Sequence, residues 1–182
     1  MAYSYVSLAK AGEKDLEFVL RSGVTPALES LAGYEFKGYN TPFITQILGF
    51  RKFKKGFFVD AGQSPEGGEI SGFNVVVKQN RLEDPWIAVP SESNPKRHSF
   101  YRAYRVRKSE RDSLYPNALL LNYGLGGNAL WNPARLLRDY LVQVDPENQD
   151  LLLGKATFAL GPQRVFPSFF ILERYNESNY RR

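Results

Sequence analysis

A single histidine, His98, and no cysteine stand in this chain of 182 residues, which narrows the chemistry at once. Thiolate nucleophiles, disulfides, iron–sulfur sites and cysteine–zinc sites are all excluded. His98 lies in a polar, basic stretch (PKRHSF), and Ser99 beside it has no strained GxSxG elbow to make it a nucleophile. The context reads as a solvent-exposed loop histidine and suits an axial haem ligand poorly. With one His, only oxygen-rich metal sites remain. The stretch Asp145–Asp150 (DPENQD) bunches acids and amides, but it lacks the mid-loop Gly and terminal Glu of a calcium loop and reads as a turn. Gly124–Asn128 (GLGGN) lacks the spacing of a dinucleotide fingerprint and reads as a turn or a mobile barrel mouth. No metal and no cofactor is expected.

What remains is a set of cations and rings. Strand parity divides Phe100–Arg107 into two faces. One carries Phe100, Arg102, Tyr104 and Val106, and the other Tyr101, Ala103, Arg105 and Arg107. The first is mostly apolar with one Arg at its middle, so it is expected to face inward. An Arg in an aromatic pocket binds a carboxylate or enolate bidentately. The plainer alternative is a structural ion pair with Glu173 or Asp139. Arg174 is a second candidate for an acidic head group. Phe36, Phe57, Phe73, Tyr123, Phe158 and Phe169 are candidate lining rings, each of which could equally be plain core. An enzyme on the same scaffold would need one acid or base, for which Tyr104, Glu35 and Asp139 are the candidates.

These residues sit on strand-like segments. Asp15–Leu31 reads as two short helices, the second opened by Thr25-Pro26. Strand signatures follow at 33–39, 53–60, 71–79, 85–89 (short and edge-like), 99–108, 118–124, 140–144, 151–160 and 168–175. A short helical turn is expected at Pro42–Gly49 and a short helix at 133–139. The tally is an antiparallel meander of about eight to ten strands. Closing it into a barrel removes its edges, and a barrel of that size holds one small ligand. A β-sandwich is the rival. One domain is expected over 1–182, with a helical N-terminal segment at 1–32 and a frayed tail at 176–182.

Composition agrees with strands around a ring-lined pocket, since 13 Phe, 11 Tyr and 2 Trp make the chain 14% aromatic. No apolar run is long enough to span a membrane, and the first 20 residues lack a signal-peptide pattern, so a cytoplasmic protein is expected. The net charge of +5 is concentrated in RKFKK (51–55), KRHSFYRAYRVRK (96–108) and Arg181–Arg182. Interleaved rings and cations of this kind occur in single-strand-binding barrels. Nucleic acid or an anionic surface is therefore a third reading, disfavoured because no other signature supports it. A homodimer is compatible with the sequence.

The order of segments LAGYEFKGYNT, LGFRKFKKGFF, LLLNYG, NPARLLRDYLVQVDP, LLLGKATF and FFILERY resembles bacterial calycin-like proteins of unknown function, nearest to the GXWXG type, with Phe36 where that type has Trp. The likeness to lipocalins and fatty-acid-binding proteins is one of architecture. It implies a cavity that binds a small hydrophobic or amphipathic molecule, such as a fatty acid, isoprenoid or polyketide. It supplies no catalytic residues. A cyclase or isomerase acting on a similar molecule is the alternative.

Overall fold

The computed structural model describes residues 3–41, 50–61 and 64–182. Three short helices come first: α1 (Tyr5–Ala9), α2 (Glu13–Ser22) and α3 (Leu28–Leu31). Eight strands follow: β1 (Tyr34–Asn40), β2 (Lys52–Phe58), β3 (Glu69–Val76), β4 (Arg97–Arg105), β5 (Leu119–Asn122), β6 (Leu137–Asp145), β7 (Asn148–Leu160) and β8 (Gln163–Glu177). Each strand pairs antiparallel with the next, and β8 returns to β1, so the meander closes into a barrel. Closure leaves no free sheet edge. The sandwich alternative is thereby set aside.

The core has two layers because the strands alternate. Phe36, Phe57, Ile70, Tyr101, Leu121 and Leu172 belong to one buried cluster, which lies inside the barrel. Leu28 and Leu31 of α3 join that cluster and close the barrel end where β1 begins. The opposite strand faces are also buried. Tyr104, Leu120, Tyr140, Val142, Leu153 and Ile171 pack with Leu8 of α1 and Leu16 and Leu20 of α2 in a second cluster outside the wall. Thus β5 reads as a continuous apolar run rather than an alternating one, and β6 is buried on both faces from Asp139 to Val144.

Several expectations change in detail. Among the described residues there are eight strands, within the eight to ten expected. Residues 85–89 form only an isolated bridge, Val77 with Ala88. The stretch 133–139 is a 3-10 turn over Pro133–Leu136, capped by the Asn132 side chain, after which β6 begins. Asp139 therefore lies on a strand. α1 lies within the expected helical N-terminal segment, ahead of the two helices named there, and its Ser4 and Ser7 form a reciprocal cap. Thr25 does not cap α3; its hydroxyl donates to the Asn117 carbonyl. Asn176 and Glu177 still belong to β8, and Tyr180 packs its ring against Phe58, Phe73 and Phe100. The turn expected at Pro42–Gly49 falls outside the described residues.

Candidate functional site

β2 reads KFKKGFF, and its alternation sorts three lysines into three environments. Lys52 and Lys54 face outward yet are buried. Lys52 Nζ donates to the carbonyls of Arg81 (2.9 Å) and Asp84 (2.8 Å) and lies 3.6 Å from the centre of the Trp86 ring. Lys54 stands between Glu92 (3.1 Å) and Glu35 (3.6 Å). Lys55 shares the inward face with Phe53 and Phe57. So of the four cations in RKFKK only Arg51 is exposed, and this segment forms no basic surface stripe.

Inside the barrel Lys55 is 2% exposed and its ammonium meets three acceptors. These are Asp139 Oδ2 at 2.9 Å, Asn74 Oδ1 at 3.0 Å and the Tyr123 hydroxyl. Tyr123 in turn donates to Asp139 Oδ2 at 2.9 Å. The rings of Tyr101 (5.0 Å), Tyr123 (5.1 Å) and Phe170 (5.1 Å) surround the same ammonium. An ammonium has three donors, so this one is fully used. Burial holds the Lys55 amine below its ordinary range, opposed by the charge and hydrogen bond of Asp139. Burial, with the Asp139 charge next, raises the Tyr123 phenol well above its own range, so it remains a donor. Buried opposite charges of this kind are costly to bring together and more costly to break apart.

The cluster is one wall of a cavity of 310 Å³ at the barrel end remote from α3. Phe53, Val75, Leu137, Ala156 and Phe170 give it a mainly apolar lining, with Phe50 and His98 at its margin. Two glycines make room. A Cβ on Gly38 would lie 2.4 Å from the Phe53 ring, and one on Gly154 2.0 Å from the Phe170 ring. Both rings therefore lie flat on the neighbouring strand and meet edge to face at 5.9 Å, which leaves the space above them open. His98 Nδ1 and Ser99 Oγ are 2.9 Å apart, and burial, then Lys55 and Lys96, hold the imidazole below its ordinary range.

The candidate residues read from sequence scatter across the two layers. Tyr123 is in the cavity wall. Phe36 and Phe57 are inside, but at the end closed by α3, edge to face at 5.7 Å. Phe73 is outside, under Tyr180. Phe169 is outside, beneath Lys155. Phe158 sits near the tip of the β7–β8 hairpin against Phe166. Arg174 lies over the Tyr34 ring at 4.0 Å and pairs with Asp150.

The inward face expected for β4 is reversed. Tyr101 and Ala103 join the interior cluster, while Arg102 is outside, paired with Asp60 at 2.5 Å, and Tyr104 packs in the outer cluster. The comparison of faces misled because Arg105 ends the strand and Arg107 lies past it, so they weigh nothing against an inward face. Of the three acid–base candidates, Glu35 and Tyr104 belong to outer contacts, and Asp139 alone lines the cavity.

Sequence reading missed Lys55, Asn74 and Ser168. The signal was present for the charged pair. Phe53-x-Lys55-x-Phe57 and Leu137-x-Asp139-x-Leu141 each put one lone charge on an apolar parity set, and the two charges are opposite.

Among the described residues no three His, Asp or Glu side chains gather as metal ligands, and no helix is long and apolar enough to cross a membrane. No protein-family model matches the chain, and no curated protein is similar to it. The likeness to the GXWXG type thus has no support beyond its motifs, and what stands is the closed eight-stranded antiparallel barrel.

Proposed function

We propose that the barrel binds a small hydrophobic or amphipathic molecule in the cavity lined by Phe53, Leu137, Ala156 and Phe170. The observation that carries this reading is an apolar cavity of 310 Å³ inside a wall that is otherwise closely packed. Interiors leave few voids larger than a water molecule, so space kept open by two glycines against two rings costs packing energy that a bound ligand would return. Ligand pockets run from about 300 Å³ upward, and closed eight-stranded barrels such as lipocalins hold one small ligand in this way. A cavity of about 150 Å³ accommodates benzene. The space here suits a compact molecule of about two fused rings, and a long acyl chain would project from the mouth.

Native mass spectrometry of protein purified from its expression host tests the reading, followed by titration with naphthalene monitored by its fluorescence. A retained small-molecule mass that is lost on denaturation, or saturable one-to-one naphthalene binding abolished by Ala156→Trp, is the expected result. No retained mass together with no saturable binding overturns it.

A further inference from the structure

Two buried polar atoms in the cavity wall, Asp139 Oδ1 and Ser168 Oγ, have no hydrogen-bond partner among the described residues. Asp139 is 3% exposed and Ser168 2% exposed, and both line the cavity. Orphaned buried polar groups are rare in folded proteins and ask for an explanation. Their placement supplies one. In the register of the sheet Asp139 on β6 is opposite Ala156 on β7, and Ala156 is opposite Ser168 on β8. The two orphans flank a single small side chain at one level of the wall.

The charged cluster in the wall is already occupied. Lys55 spends its three donors on Asp139 Oδ2, Asn74 and Tyr123, and the Tyr123 proton also goes to Asp139 Oδ2. No donor of this cluster is left for a ligand carboxylate. The negative charge of Asp139 is balanced inside the wall by Lys55, so a second anion would enter a site with no spare cation. What is unfilled is an acceptor, Asp139 Oδ1, and a hydroxyl that both donates and accepts, Ser168 Oγ.

We infer that the space over Ala156 is a subsite for a neutral hydrogen-bonding head group, a hydroxyl or an amide N–H, carried by the apolar ligand. The head donates to Asp139 Oδ1 and accepts from Ser168 Oγ. This inference rests on the reading of the cavity as a ligand site. It replaces the acidic head group expected from sequence, since Arg102 lies outside the barrel and Arg174 lies at the end closed by α3, over the Tyr34 and Phe36 rings, each with a carboxylate partner.

Three probes of one shape test it: naphthalene, 2-naphthol and 2-naphthoate, titrated into the full chain and into Ser168→Ala. A hydrogen bond to a buried carboxylate is worth about tenfold or more in affinity. 2-Naphthol is expected to bind about tenfold tighter than naphthalene, and 2-naphthoate no tighter than naphthalene. Ser168→Ala, which removes one oxygen, is expected to cut the preference for naphthol over naphthalene several-fold. Equal binding of naphthol and naphthalene, or a preference for naphthoate, overturns the head-group inference and leaves the cavity reading standing. Failure of all three probes to bind overturns the cavity reading and the inference with it.

Discussion

The two ends of the barrel interior solve the same packing problem in opposite ways. At the α3 end Leu28, Leu31, Phe36, Phe57, Ile70 and Leu172 fill the space with apolar side chains, and Phe36 meets Phe57 edge to face. At the other end the wall carries a lysine, an aspartate, an asparagine and a tyrosine bonded to one another, and the centre is left open. The first end depends on shape and the second on charge balance. Binding needs space that is kept empty, so a scaffold of this kind must draw its stability from the sealed end and the outer layer.

Substitutions of the largest effect separate the two kinds of dependence. Phe57→Ala is expected to lower stability by about 3–5 kcal/mol, because a fully buried ring leaves a hole that the surrounding strands cannot collapse. Lys55→Met is expected to cost a similar amount, about 3–5 kcal/mol, for a different reason: it leaves the Asp139 carboxylate buried without its cation. Denaturant melts of the double variant Lys55→Met with Asp139→Leu distinguish the causes. Most of the loss should be recovered when both charges go, whereas no second substitution at a charged position should rescue Phe57→Ala. If the double variant is no better than Lys55→Met, charge balance is not what holds the open end.

Smaller changes sharpen the role of the empty space. Gly154→Ala forces the Phe170 ring off the β7 backbone and into the cavity. It is expected to cost about 1–3 kcal/mol, as overpacking does, and to weaken naphthalene binding with it. Ala156→Leu instead grows into the open volume. Its effect on stability should stay below about 1 kcal/mol of loss, and a gain is allowed, while naphthalene binding falls sharply. Equal losses of stability from the two variants would mean that the space over Ala156 is not open in solution.

The architecture was legible because its signals are local. Alternating apolar runs, turn residues at short intervals and a high aromatic content are each written along the chain, and they gave the closed antiparallel barrel and its short N-terminal helices. The site was only partly legible, since it depends on which face of each strand turns inward. With α1 and α2 covering the outer wall, β5 is apolar on both faces, and hydrophobicity no longer tells in from out there. On β4 the expected face is reversed for another reason: Arg105 at the strand end and Arg107 past it counted against the face of Tyr101 and Ala103, which is the inward one. Lys55 looked like part of a surface cluster because its neighbours Arg51, Lys52 and Lys54 are also cations. Its partner Asp139 is 84 residues away and four strands on, a distance that no local pattern spans.

The weakest expected effect, a pH dependence, probes the margin where the open end meets solvent. Burial, reinforced by the charges of Lys55 and Lys96, keeps the His98 imidazole below its ordinary 6.5. As pH falls through that value the unfolded chain takes up a proton that the folded protein resists, so stability should decline from about pH 7.5 to about pH 5.5. The Glu17 carboxyl, held below its ordinary 4.5 by Lys155, Tyr115 and Arg21 despite burial, loses its contribution only at lower pH and leaves this window clear. His98→Asn cannot titrate and is expected to flatten the decline in melting temperature. Ligand binding should exaggerate it, because an apolar molecule at the margin excludes water from the imidazole and disfavours its charged form further. A ligand that binds equally well at both pH values would place its apolar part away from His98 and against the Phe53–Phe170 side of the cavity.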